Sequence, residues 1–408
     1  MAVFCVLLLG QPVQAIDSTE VLPASINSPS VCMGVVSGIG FRFLSSGDLM
    51  SLSDHNSIEF DARALTQFEP RVNEMVAILN QFGSQRMGDQ LTLGVLRVDT
   101  TPEVRYVAPI YARGITSKWT LGVGVPVISY QNKLALYQTH SNIQAMRAEM
   151  GNSVPPELDA AFDELTVNLV SVAHEQLATK GYKPLRDRAE TQIGDVQVVS
   201  LYQFAAKDFS PRHKVSAQFK TIVSLPTGQG DDPDDLADLG IFGYTAVENQ
   251  LLGNYVLNGR LQLALKGGHR YTLPDQVIRR VPMNAEDTLP DLDSKETVSR
   301  ETGHAWFAGA SLSYAFNSAL NLGVGVETTQ KAADRYKGTS SRRHDLLGKD
   351  TASQSDRFRI GLSYSSIDAF FAERALLPIV LAYEFSDTIR GFNTERMTVH
   401  EVWLQLFF

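Results

Sequence analysis

Apolar and polar side chains alternate with a period of two along much of this chain, which places one face of each segment against an apolar phase and the other against a polar one. In 214–225, Val215, Ala217, Phe219, Val223 and Leu225 share one face, and Lys214, Ser216, Gln218, Lys220 and Ser224 share the other. In 254–266, Tyr255, Leu257, Leu261, Leu263 and Leu265 oppose Asn258, Arg260, Gln262 and Lys266. The same reading sets Trp306, Ala308, Ala310, Leu312 and Tyr314 against Gly309, Ser311 and Ser313, and Leu322, Val324 and Val326 against Gly323, Gly325 and Glu327. Near the end, Phe358, Ile360 and Leu362 oppose Arg357, Arg359 and Gly361, while Leu381, Tyr383 and Phe385 oppose Ala382 and Glu384. Segments of about ten residues with one apolar face are weak signals singly and strong when repeated, and they are the signature of a transmembrane β-barrel.

A soluble two-sheet sandwich also alternates. Arginines and lysines in mid-strand, and aromatics near strand ends as in interfacial girdles, favour the barrel. Strands near 89–98, 103–113, 118–130, 193–206, 213–226, 239–250, 254–271, 304–316, 319–330, 354–364, 376–386 and 396–408 give twelve. Their links fall into two sets. Those at 114–117, 207–212, 251–253, 317–318 and 365–375 are the short set, and those at 131–192, 227–238, 272–303, 331–353 and 387–395 are mostly longer. Only 99–102 is a short link in the long set. An even strand count then puts the short set and both termini on the periplasmic side.

Two regions carry helical spacing instead. Over 62–82, Leu65, Phe68, Val72, Met75, Val76, Leu79 and Phe82 form a stripe with Asp61 as N-cap. Over 141–181, Pro155-Pro156 opens a segment with Leu158, Phe162, Leu165, Leu169, Val172, Ala173 and Leu177 on one face. The expectation is an all-β fold: an antiparallel transmembrane β-barrel of twelve strands, with an N-terminal helical segment (16–88) able to occlude the lumen and a helical loop insertion (141–181) in an 89–408 barrel. The stretch 31–44 is either a plug or an additional strand, and the latter leads to a count of fourteen.

Composition narrows this further. Of 408 residues, 36 are basic and 45 acidic, a net charge of −9 that argues against a nucleic-acid partner. After the first ten residues no apolar run approaches the ~18 needed for a membrane-spanning helix. Residues 1–15 read as a signal peptide, with an apolar run ending in Val13-Gln14-Ala15 and cleavage after Ala15. That leaves Cys32 as the single thiol, so no internal disulfide and no cysteine zinc site is expected. The last residues, Val402-Trp403-Leu404-Gln405-Leu406-Phe407-Phe408, alternate and stop on an aromatic. Leader and tail together point to the bacterial outer membrane.

The run Ser224-Leu225-Pro226-Thr227-Gly228, which closes a strand and enters an acidic loop, is followed by a Gly-rich strand and a return strand over 240–271. This resembles the outer-membrane family named for the phenol meta-degradation pathway, which is similar to the long-chain fatty-acid transporter barrels. The resemblance implies a barrel that admits hydrophobic or aromatic small molecules, with outer-membrane lipids and the barrel assembly machinery as its other partners. It also implies that Phe408 is an assembly signal. The helices at 62–82 and 141–181 depart from the family pattern.

No enzyme motif is found, and neither catalytic, cofactor nor metal residues are assigned. The eight histidines never pair at i, i+4. By parity His400 faces outward beside Val402 and Leu404 as an interfacial residue. The loop 230–238 holds five acids without EF-hand spacing, so a solvated loop is favoured over a calcium site. The candidate lumen-facing residues are Lys214, Gln218, Lys220, Arg260, Gln262, Lys266, Glu327, Arg357, Arg359 and Glu384. Their charges read either as a neutralising network that fills the barrel or as a substrate path, and the network is favoured because buried charge must be paired. The two functional expectations are uptake of hydrophobic or aromatic compounds and, as the alternative, a structural or adhesive surface protein with a filled lumen. Substrate identity and oligomeric state are not legible.

Overall fold

The computed structural model describes residues 17–408 apart from 56, 64–70, 83–85, 140, 152–155, 166–168, 211–212 and 239–242. The leader, together with Leu65 and Phe68 of the first helical stripe, lies outside the described residues. Twelve antiparallel strands close into a barrel. They are β1 (Asn27–Ser37), β2 (Thr92–Thr116), β3 (Trp119–Gly124 continued by Val127–Gln138), β4 (Arg188–Ile193 continued by Gln197–Ser210), β5 (His213–Ser224) and β6 (Ala246–Leu257). The second half is β7 (Leu261–Thr272), β8 (Ala305–Ala315), β9 (Leu320–Lys331), β10 (Ser353–Ser365), β11 (Ile379–Phe392) and β12 (Thr398–Leu406).

Closure depends on β1, which pairs with β12 from Ser30↔Gln405 to Ser37↔Thr398 and with β2 from Asn27↔Arg113 to Val36↔Val104. At the seam Asn27, the first residue of β1, clasps Phe408. Asn27 N–H donates to the Phe408 carbonyl at 2.8 Å, and Phe408 N–H donates to the Asn27 carbonyl at 3.0 Å. No backbone edge is left facing lipid along this seam, as hydrocarbon requires.

The strand count agrees with expectation, but its membership is corrected. Stretch 31–44 supplies most of the first barrel strand rather than a plug or a thirteenth strand. The segments 89–98 and 103–113 are one 25-residue strand, β2. Asp99-Thr100-Thr101-Pro102 reads as a turn, yet it stays extended because β3 pairs alongside it from Leu96↔Gln138 to Val107↔Val127. The hairpin expected at 251–253 lies at 258–260. Asn258 and Gly259 have φ of 55° and 66°, the left-handed pair that a tight hairpin turn demands, while Gly253 sits in mid-strand. Arg260 accordingly belongs to the exposed turn and not to the lumen.

With these corrections the short links are 117–118, 211–212, 258–260, 316–319 and 366–378, and the long ones include 38–91 and 139–187. The first helix is therefore not a prelude to the barrel. Helix α1 (Arg71–Phe82) belongs to the first long connection and Asp61 ends a short strand, Ile58–Asp61. It packs with α2 (Ile143–Met150), α3 (Pro156–Leu165) and α4 (Leu169–Thr179) around a second core at the long-loop end. There Met75, Leu79, Ile143, Met146, Leu158, Phe162 and Leu169 are buried. Met75 and Leu79 of the first stripe pack in one core with Leu158, Phe162 and Leu169 of the second.

The family-like run at 224–228 has a local task. β4 breaks at Gly194-Asp195-Val196, and Thr227 fills the break: Val196 N–H donates to Thr227 Oγ1 at 2.8 Å, and that hydroxyl donates to the Gly194 carbonyl at 3.1 Å. Buried Asp195 takes N–H bonds from Gly228 at 2.9 Å and Gly243 at 3.2 Å.

The barrel is apolar on its outside. Val107, Val123, Phe219, Leu251, Leu263, Leu265, Val324, Val326 and Leu404 are exposed, and Trp119, Phe204, Tyr255, Tyr314 and Tyr364 ring the short-turn end. His400 also faces outward, with its Nδ1 2.8 Å from Tyr383 Oη. This is the arrangement of a lipid-facing wall with an aromatic girdle.

Epitope tags placed within 284–288 should be accessible to antibody on intact cells, and a tag at 258–260 should be reached only after permeabilisation. Labelling of the 258–260 tag on intact cells would invert the topology. Removal of Phe408 breaks both clasping bonds, so the heat-modifiable band of assembled barrel should fall markedly in membrane fractions. An undiminished band would separate closure from this residue.

Candidate lumenal pathway

Inside the barrel the two walls differ. On the β1, β2, β3, β4 and β12 side, Cys32, Val36, Val104, Ala108, Ile110, Ile128, Val199, Leu201, Val399 and Trp403 form a continuous apolar lining. The facing side, β5 to β11, carries the charges. Lys220, Lys266, Arg270, Arg357 and Arg359 stand against Glu248 and Glu327, with Glu384 and, from β12, Glu401. These are five cations and four acids, and nearer the long-loop end β4 adds the inward pair Arg188 and Glu190.

Of the sequence candidates, Gln218, Lys220, Gln262 and Arg357 are buried inside the barrel. Lys266, Glu327, Arg359 and Glu384 join in one network there. Lys214 lies at the short-turn rim, half exposed and 3.6 Å from Asp208. Sequence reasoning passed over Glu248, Arg270, Glu401 and Tyr106. Parity alone identifies Glu401, the neighbour of outward His400. Glu248 and Arg270 lie opposite each other in register, and Arg270 shares the parity of Gln262 and Lys266, so the same alternation identifies it. Glu401 is in register with Glu384 and accepts the Tyr106 hydroxyl. Gly34 makes this possible, because a Cβ there would lie 2.2 Å from the Tyr106 ring.

The fifth acid comes from outside the wall. Residues 17–26 run inside the barrel ahead of β1, and Asp17 sits between Lys266 Nζ at 3.0 Å and Arg359 Nη1 at 3.0 and 3.1 Å. Arg359 also holds Glu384 at 2.7 and 3.1 Å, and Lys266 also holds Glu327. Asp17 brings the acids at this level to five, and the same segment carries a second acid, Glu20, which borders the cavity towards the short turns. The segment is tied to the wall by Gln203 Nε2 donating to the Thr19 carbonyl at 3.0 Å and by Leu22 N–H donating to Thr120 Oγ1 at 2.8 Å. It is this strand-free segment, not α1, that occupies the lumen.

The pathway has two chambers. Below the network, towards the short turns, lies an apolar cavity of about 780 Å³ lined by Leu22, Ile110, Val199, Leu201, Trp403 and Phe370 among others. At the long-loop end lies a polar cavity of about 750 Å³ whose lining includes Arg42, Arg279, Arg300, Lys331, Asp334 and Lys349.

Chamber, constriction and mouth thus lie in series along the lumen, and comparison with known proteins places the chain in a family. The family described as "Putative MetA-pathway of phenol degradation" matches residues 134–371, more than half of the chain. The chain belongs to this family. No curated protein matches by sequence. Among solved structures, an outer membrane channel from Pseudomonas putida F1 is similar with a TM-score of 0.52 and 12% identity, over 96% of this chain and 98% of that one. The P. putida toluene transporter TodX gives 0.36 at 11% identity, over 95% and 91%. The CymD monoaromatic hydrocarbon channel gives 0.32 at 8%, over 95% and 89%. The first of these likenesses establishes the outer-membrane channel fold.

The mouth is framed by the acidic loop, which is neither free in solvent nor arranged as a calcium site. Its acids pair with basic residues from elsewhere at the long-loop end: Asp231 with Arg279 at 2.5 Å, Asp232 with Lys183 at 2.7 Å, Asp235 with Arg188 at the start of β4. Asp234 is held by Arg280 at 2.8 Å and Lys295 at 2.7 Å. Arg280 is itself buried, lies 3.8 Å from the Tyr182 ring centroid and donates to the carbonyls of Lys180, Gly181 and Pro290. Partial burial would raise the Asp232 and Asp234 carboxyls, but the ammonium and guanidinium partners outweigh it and both lie below the ordinary aspartate range. A carboxyl depressed in the folded state contributes stability above its unfolded pKa of ~3.9 and loses it as pH falls further. Hydrogen exchange, corrected for intrinsic rate, should therefore show full protection of the 231–238 and 280–296 backbone at pH 5 and above, with loss near pH 3 while the barrel strands stay protected. Equal loop protection at both pH values would show that these pairs do not hold the mouth.

Proposed function

We propose that this protein is an outer-membrane channel through which hydrophobic or aromatic small molecules enter the cell, closed at rest by residues 17–26. The observation that carries the proposal is the apolar cavity beneath the Asp17 network. A pore for hydrophilic solutes gains nothing from a lining of Ile110, Val199, Leu201 and Trp403, whereas an apolar solute is stabilised by leaving water for it. Membership of a family described by phenol degradation fits the same reading, as do the toluene and monoaromatic hydrocarbons for which TodX and CymD are named. Lys220, Lys266, Glu327, Arg357, Arg359 and Glu384 then form the constriction, and Gln218 and Gln262 line the wall beside it. Export follows cleavage after Ala15, which makes Asp17 the second residue of the mature chain. Phe408 serves recognition by the assembly machinery as well as closure, and outer-membrane lipids cover the apolar exterior. The adhesive alternative is disfavoured, since Met75, Leu79, Ile143, Leu158 and Phe162 of the long-loop helices are buried in a core of their own.

Vesicles with a lipopolysaccharide outer leaflet and the full mature chain should take up labelled alkylbenzenes several-fold faster than empty vesicles. Leu201→Glu places an unpaired charge in the cavity and should slow this uptake by about tenfold or more. Uptake no faster than in empty vesicles would remove the channel reading.

A further inference from the structure

The outer wall of the barrel is not uniform. Across β5 to β10 one register row carries Thr221, Asn249, His269, Trp306, Gln330 and Gln354, each opposite the next on the neighbouring strand. All face outward, in phase with exposed Phe219, Leu251, Leu265, Val326 and Leu362 of the same strands. The row stands near the long-loop ends, as the places of Trp306 in β8 and Gln330 in β9 show. Polar and ring side chains on a lipid-facing wall mark the level where hydrocarbon gives way to headgroups.

Directly beneath, the next outward row reads Phe219, Leu251, Gly267, Ala308 and Thr328, again in register. A groove of about 610 Å³ opens over Gly267 and Ala308, with Phe219 and Leu251 as one wall and His269 and Trp306 as its roof. The roof is fixed: the His269 and Trp306 ring centroids are 4.0 Å apart, and His269 Nε2 lies 3.0 Å from His304 Nδ1. The groove is not a by-product of packing. A Cβ at Gly268 would lie 2.1 Å from the Phe307 ring, so that glycine is required by its neighbour. A Cβ at Gly267 would meet only the Phe307 carbonyl, at 3.8 Å, so a larger residue fits there and its absence keeps the groove open.

We infer that this groove seats one acyl chain of an outer-leaflet lipopolysaccharide, whose hydroxyl and amide groups bond the polar row. The inference does not depend on the uptake reading. Three observations select the occupant. The groove is continuous with the lipid-facing wall and, with the long loops external, lies in the outer leaflet where a chain leaves its headgroup. Contact between tail and wall gains little in hydrocarbon, since lipid tails are as apolar as the wall, so selection rests on polar contacts. Asn249, Gln330 and the Trp306 Nε1–H provide them at the roof, and the Thr328 hydroxyl provides one a row deeper, where a hydroxyacyl chain has a partner and the plain chain of a phospholipid has none. Beyond the end of β9, Arg335 and Lys337 are both exposed on the long-loop side of the groove, cations suited to the phosphates of the same molecule.

The test offers the full mature chain, in mild detergent, equimolar lipid A and phosphatidylglycerol and counts bound lipid by native mass spectrometry. The intact chain should retain one lipid A with a preference of about tenfold or more, the order of one charge-assisted hydrogen bond. Gly267→Leu and Ala308→Leu fill the groove and should each abolish the preference. Gly253→Leu, at an outward glycine that also faces open space but lies outside the groove, should keep it. The heat-modifiable band shows that each variant is assembled, and alkylbenzene uptake by Gly267→Leu should match that of the intact chain. Equal retention of the two lipids by the intact chain, or an undiminished preference in both filled variants, would overturn the site. Slower uptake by Gly267→Leu would overturn it as well, by making the groove part of the solute path.

Discussion

The insertion of strand 27–37 between the last strand and the second is the constraint on which the rest depends. In hydrocarbon every backbone donor and acceptor must find a partner within the sheet, so a barrel of this kind exists only when its seam is closed. The seam here is antiparallel on both sides, and the Asn27–Phe408 clasp locks its end. Once it is closed, side-chain alternation sorts itself. Leucines, valines and ring aromatics face lipid, and the opposite positions must share an interior too narrow to leave charges unpaired.

The interior is correspondingly divided. One wall is apolar because β1 to β4 and β12 alternate between two apolar sets, with Cys32, Val104, Ile110 and Leu201 inside and Met33, Val107 and Val123 outside. The other wall takes the lysines, arginines and glutamates. A lumen with one greasy and one charged side suits neither a water-filled pore nor a fully packed core, and the segment before β1 completes it by supplying both an acid for the charged side and aliphatic groups for the cavity. Since β1 must begin at the short-turn end, the residues ahead of it are positioned to enter the barrel from there.

Much of this was legible in the sequence, and the failures have physical causes. The strands of the second half declare themselves through unbroken alternation, and Lys266, Glu327, Arg359 and Glu384 follow from parity. The first strand is less plain because its inward face, with Cys32, Gly34 and Val36, is nearly as apolar as its outward one. β2 was divided because Asp99-Thr100-Thr101-Pro102 has turn composition, and tertiary pairing with β3 overrides it. The Asn258-Gly259 turn was missed although that dipeptide is the strongest hairpin signal available, and the error placed Arg260 in the lumen. Asp17 bears no periodic signal at all, since a lone acid in an irregular segment acquires meaning only from the two cations that close around it. The acidic loop looked solvated because its partners, Lys183, Arg188, Arg279 and Arg280, are distant in sequence.

The central claim is that residues 17–26 close the lumen by seating Asp17 on Lys266 and Arg359. Single-channel conductance in planar bilayers tests it most directly, with the mature chain compared against one lacking residues 17–24 and assembled to the same extent. The account predicts a low, steady conductance for the intact chain and a clear rise when the segment is removed. Identical conductance in the two would contradict it and leave the wall network itself as the barrier.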